Sequence, residues 1–90
     1  MNEKALATAD FQVSGTGHNG AVNITVHAEL RESGAFDYGN GTCMIIKYSD
    51  SWMPDLVDTR YSDVTPETFG AFVLDYLKRN SVPTVTFTAI

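Results

Sequence analysis

Residues 15–30 read GTGHNGAVNITVHAEL, and two readings compete for them. Gly15, Gly17 and Gly20 fit G-x-G-x-x-G, which marks a dinucleotide-binding turn when a strand precedes the glycines and a helix comes after them to hold the pyrophosphate. Beyond Gly20, however, the chain alternates strictly. Val22, Ile24, Val26, Ala28 and Leu30 point one way, and Asn23, Thr25, His27 and Glu29 the other, which is the period of a half-buried strand. Without its helix the fingerprint is a tight turn, not a cofactor site.

Upstream, Ala7, Ala9, Phe11 and Val13 alternate with Thr8, Asp10, Gln12 and Ser14, a second strand with one apolar face. Asn19-Gly20 between the two suits a type I′ turn, whose central residues need positive φ. With those two as the loop, His18 faces Ala21, Val13 faces Val26, Phe11 faces Ala28 and Ala9 faces Leu30. Gly15 and Gly17 then permit a bulge or strong twist near the tip.

Downstream, Thr42-Cys43-Met44-Ile45-Ile46-Lys47-Tyr48 reads as a well-buried strand. Residues 36–38 either begin that strand across a bulge or form a small hairpin about Asn40-Gly41. The segment Tyr38-Gly39-Asn40-Gly41-Thr42-Cys43 resembles the YGNGV segment of pediocin-like bacteriocins over six residues. Those peptides are cationic and disulfide-bonded, whereas this chain is acidic with one cysteine, so no function is carried over.

A loop is expected around Trp52-Met53-Pro54, then a short strand over residues 56–61. Thr65-Pro66-Glu67 is a helix start: Thr caps, Pro suits the first helical position and Glu complements the dipole. Phe69, Phe72, Val73, Tyr76 and Leu77 then fall at helical spacing on one stripe. Lys78 and Arg79 suit the C-terminus, Asn80 is a candidate left-handed cap, and Pro83 ends the helix. Residues 84–90 alternate again as a final strand. The expected fold is α+β: one domain over residues 1–90, a small antiparallel sheet of four or five strands in the order β-β-β-(β)-α-β, with one amphipathic helix on one face.

Composition excludes several functions. Eleven acidic against six basic residues give a net charge of −5, a field that repels a phosphate backbone. The one cationic pair, Lys78-Arg79, is accounted for by the helix end. No run approaches the roughly 18 apolar residues of a membrane span, and with no signal-peptide pattern a cytoplasmic protein is expected. Cys43, the single cysteine, lies in an apolar run and reads as a buried, inert thiol.

No catalytic constellation, metal site or cofactor site emerges. His18 and His27 stand roughly 20 Å apart on the proposed hairpin, too far to share an ion. Cys43 with His27 is the only nucleophile–base pairing worth naming, and burial of Cys43 places it on the face opposite His27. Asp55 and Asp58 are close in sequence, but proximity alone does not make an acid–base pair.

Residues 50–67 hold Asp50, Asp55, Asp58, Asp63 and Glu67 against Arg60, a local charge of −4. Tyr48, Trp52, Met53 and Tyr61, residue types enriched at interfaces, are interleaved with them. Either these aromatics close one end of the core, or Tyr48, Asp50, Trp52, Met53, Asp55, Asp58, Tyr61 and Asp63 form a site for a protein partner with a basic surface. The second reading makes the chain a non-enzymatic interaction module. In type, though in no motif, it resembles small acidic phage and mobile-element products that block a host machine, anti-CRISPR proteins among them. A rival class is a self-associating structural or accessory protein, a homodimer joined through a sheet edge such as the C-terminal strand. A small enzyme or ligand-binding domain would need a concave pocket that no motif announces.

Overall fold

The computed structural model describes residues 5–32 and 41–90. The expectation for residues 36–38 lies outside them. The elements run β1 (Ala7–Gly17), β2 (Gly20–Glu32), β3 (Thr42–Tyr48), β4 (Asp55–Asp58), α1 (Phe69–Arg79) and β5 (Val85–Ala89). The five strands form one sheet in the order β4-β3-β2-β1-β5, with every neighbouring pair antiparallel. The α+β class and the element order are those the sequence predicts.

Alternation assigns the faces. Phe11, Val13, Val26, Ala28, Leu30, Met44 and Ile46 lie on one face and bury there against Phe69, Val73 and Leu77 of α1. The three helix residues recur every fourth position, so they form one stripe. Lys78 and Arg79 occupy the last turn as expected. The opposite face carries Asp10, Gln12, Ser14, Asn23, Thr25, His27, Glu29, Thr86 and Thr88, by the register of the strands.

Several boundaries differ from expectation. The hairpin pairs Gly17 with Gly20, Val13 with Ile24, Phe11 with Val26 and Ala9 with Ala28, so His18-Asn19 is the loop and the register is shifted by two. A two-residue slip keeps every side chain on its face, so the apolar pattern does not register it. Gly20, at φ +109, takes up the unusual backbone just past the turn. β4 occupies 55–58 instead of 56–61.

The helix begins at Phe69, because residues 65–68 form a separate turn in which Thr65 N–H donates to Thr68 Oγ1 (2.9 Å) and Thr68 N–H to Thr65 Oγ1 (3.3 Å). Asn80, at φ −105, is not left-handed. Its side-chain amide instead donates to Tyr76 O at 2.8 Å, a carbonyl that also accepts the Asn80 backbone N–H.

An 11-residue helix is about 16 Å long, whereas the 13 residues of β2 run about 43 Å. The hairpin end of the apolar face therefore lies beyond α1. There an open cleft of about 300 Å³ is bordered by Val22, Ile24, Leu77, Val85 and Phe87, with His18 and Asp50 at its rim.

Gly15 differs from the other hairpin glycines. It has φ +126, and a Cβ there would collide with the Thr84 carbonyl oxygen, where Thr84 Oγ1 also donates to Thr16 O. At Gly20 the same atom would meet open space. Gly20→Ala therefore costs about 1–2 kcal/mol for the backbone alone, and Gly15→Ala costs more, because β1 and β5 must also separate. Urea unfolding of the two variants measures the difference.

Candidate functional site

Residues 48–63 fold around the β4 edge of the sheet. β3 ends at Tyr48, a turn at 49–50 and a loop at 51–54 reverse the chain, β4 pairs along β3, and a turn over 60–62 leads away. The loop is short and self-braced, with Met53 N–H donating to Ser51 Oγ at 3.3 Å and Ser51 Oγ to Met53 O at 3.4 Å.

Tyr48 is half-buried against the core, and its hydroxyl donates to Asp55 Oδ2 at 2.9 Å. Burial and that neighbouring carboxylate push the phenol well above its usual range, so it stays a neutral donor that ties the end of β3 to the start of β4. Trp52 and Tyr61 do not close the core. They are 88% and 90% exposed, while Met53 and Leu56 are 57% and 48% exposed.

The eight candidate residues form two groups. Tyr48, Asp50, Trp52, Met53 and Asp55 gather at the loop end, and Asp58, Tyr61 and Asp63 at the other end of β4, about 10 Å along the strand between Asp55 and Asp58. Asp55 pairs with buried Ile46 and Asp58 with Cys43, so the two carboxylates point to opposite faces. Asp58 is gripped by Arg60, whose Nε and Nη2 donate to its oxygens at 3.0 and 2.7 Å and whose backbone N–H donates at 3.0 Å. The guanidinium and backbone bonds hold the Asp58 carboxyl below its ordinary range. The same guanidinium lies 5.3 Å from the Tyr61 ring centroid, a cation–π geometry.

Leu56 is the residue that sequence reasoning missed. It pairs with Ile45 on the face away from α1. Its signal is an apolar side chain among acids, with an odd offset from Val57.

The polar face holds a second cluster. His27 Nδ1 lies 2.7 Å from Asp10 Oδ1 and its Nε2 lies 2.9 Å from Glu29 Oε2. Arg31 Nη2 donates to Glu29 Oε1 at 2.6 Å. The file His27, Glu29, Arg31 is visible in the sequence as i, i+2, i+4 on one strand face; the part of Asp10 requires the register. Hydrogen bonds to Asp10 and Glu29 raise the His27 pKa against the opposing pull of partial burial. Each ring nitrogen faces a carboxylate oxygen, an arrangement that favours the doubly protonated ring.

Cys43 lies on the same face as His27, contrary to expectation, because β3 is buried on both faces. The two remain apart: His27 pairs with Lys47 and Cys43 with Arg31, four residues or about 13 Å along the strand. Burial is the main influence on the thiol and raises its pKa.

Among the described residues no group of three or more His, Cys, Asp or Glu could hold a metal ion, and no helix is long and apolar enough to cross a membrane. What fold and edge define is a class: a small antiparallel sheet backed by one helix, with an acidic, aromatic edge. Compared with known proteins, the chain matches no family model, and it has no significant match among curated proteins or solved structures.

The His27 cluster has a defined pH signature. Its folded pKa is raised above the ordinary 6.5, so its stabilisation is complete below that value and is lost as pH rises through the folded pKa. In urea melts from about pH 6 to 9, the advantage of the wild type over His27→Gln shrinks with rising pH. Cys43, 1% exposed, reacts with iodoacetamide only as fast as the chain opens, and mild denaturant accelerates the labelling.

Proposed function

We propose that the chain is a non-enzymatic, cytoplasmic protein-binding module that presents residues 48–63 to a basic surface on another protein. One observation carries this reading. Of the six large hydrophobic side chains exposed among the described residues, Trp52, Met53, Leu56 and Tyr61 share a single ten-residue stretch. Trp and Tyr are residue types that anchor interfaces, and apolar side chains exposed along one charged sheet edge suit a docking site. The surrounding carboxylates speed encounter with a basic partner and fix its orientation. Occlusion of a host machine, as small acidic phage and mobile-element products achieve it, is an activity that needs no catalytic group.

The test uses a partner captured from host lysate, purified, and titrated calorimetrically against variants. Trp52→Ala with Tyr61→Ala weakens binding by roughly 30-fold or more, the loss of one hot spot of about 2 kcal/mol. Asp50→Lys with Asp63→Lys slows association and flattens its salt dependence. These acids suit charge reversal better than Asp55 and Asp58, which are engaged by Tyr48 and Arg60. A partner whose affinity is indifferent to all four substitutions overturns the reading.

A further inference from the structure

The two edges of the sheet are built differently. β4 is four residues long, comes directly after Pro54 and carries Asp55 and Asp58, all devices that discourage another strand from pairing with an edge. β5 is only one residue longer and has Pro83 two residues before it, but it lacks the charges. From Thr84 to Ile90 it contains no charge, proline or glycine, and alternates Thr with Val, Phe and Ala, residues of high β propensity except Ala.

Its outer side is hydrogen-bonding surface. Thr16 N–H donates to Thr84 O and Ile90 N–H to Asp10 O, so the even-numbered residues of this strand turn their main-chain groups toward β1. Val85, Phe87 and Ala89 then turn theirs outward. The Val85 N–H is already satisfied by Val82 O at 3.2 Å, leaving the N–H of Phe87 and Ala89 and the C=O of Val85, Phe87 and Ala89 along the free edge.

We propose that β5 is the seam through which two copies of this chain join, antiparallel about Phe87, into one sheet continuous across both five-stranded halves. About this centre each Phe87 N–H donates to the other copy's Phe87 carbonyl, and each Ala89 N–H to the other's Val85 carbonyl. The pairing of Val85 with the other copy's Ala89 would also use the Val85 N–H, and because that donor is already bonded to Val82 O, each end of the seam closes after these bonds.

Side chains and charge favour the same partner. Phe87 and Val85 are half-buried beside the open cleft and beside a second hollow lined by Lys78, Val82 and Pro83; pairing sets the two Phe87 rings together where α1 leaves the face uncovered. The polar face stays polar, because Thr86 and Thr88 meet across the seam. Both partners are acidic, yet β4 lies four strand spacings from β5, about 19 Å and beyond the Debye length of about 8 Å. Joining at β5 therefore sends the acidic edges to the two far ends. The seam is only five residues long, below the standard interface of about 800 Å² per partner, so the pair is weak and concentration-dependent.

The test is sedimentation equilibrium of the full chain from about 1 μM to about 500 μM, the range in which so small an interface titrates. The wild type rises from 9.8 kDa toward twice that mass. T86K with T88K places like charges against each other across the seam while lowering the magnitude of the net charge, and remains monomeric with an unchanged circular-dichroism melt. Mixing it with T86E/T88E restores a dimer, because opposite charges then face each other. Amide exchange slows at Phe87 and Ala89 as concentration rises, and not at Leu56 or Asp58. A wild type that stays at monomer mass, a lysine variant that dimerises as the wild type does, or concentration-dependent protection at β4 overturns the proposal. The mass measurements do not depend on whether residues 48–63 engage another protein.

Discussion

The chain leaves the sheet at β4 and must re-enter it at β5, on the opposite edge, and the rest of the structure depends on how that crossing is made. Residues 59–84 make it over one face only, with α1 in their middle. Phe69, Val73 and Leu77 are thereby pressed onto Phe11, Val26, Ala28, Leu30, Met44 and Ile46. Each fully buried apolar side chain of this size contributes about 1.5–3 kcal/mol, so this layer is where a chain of 90 residues finds most of its cohesion. The approach of Thr84 to Gly15 is the far end of the same crossing, where the chain turns into β5.

Using α1 on one face leaves the other face to manage itself. It does so with side-chain pairs instead of a second layer: Asp10 to His27, His27 to Glu29, Glu29 to Arg31. Glu29 shows the balance involved. Burial pushes its pKa up, yet its bonds to Arg31 and His27 bring it below the ordinary value, so it stays ionised. Along β3 this face turns partly apolar, since Cys43 and Ile45 are both buried there while Lys47 pairs with His27. The Thr42 and Thr59 hydroxyls meet at 2.7 Å and leave no polar atom of buried Thr59 unsatisfied among the described residues.

Much of this is legible from alternation. Period 2 in residues 7–13 and 22–30 and period 3.6 in residues 69–77 assign the faces and the helix stripe, because burial acts on those periods directly. Quantities to which the period is indifferent are not legible. A slip of two leaves the pattern unchanged, so only backbone geometry at Gly20 locates the hairpin loop. The continuous apolar run 43–46 conceals which of its residues faces which side, and this is why the sequence alone puts Cys43 on the wrong face. Thr65 has the right chemistry for a cap, but its hydrogen bonds go to Thr68 in a turn of their own. In the candidate site, sequence finds the aromatic and acidic residues, while the exposure of Leu56 and the bracing of Asp55 and Asp58 depend on pairing with β3.

Asp55 and Asp58, three residues apart in a strand, point to opposite sides of the sheet. A body lying flat on either face therefore reaches one carboxylate and not the other. To engage both, it must wrap the rim like a jaw, its two cationic groups separated by roughly the 10 Å thickness of a sheet with its side chains. Such a requirement is one of shape as well as sign: a uniformly basic plane reaches one of the two carboxylates, and a notched or forked surface reaches both.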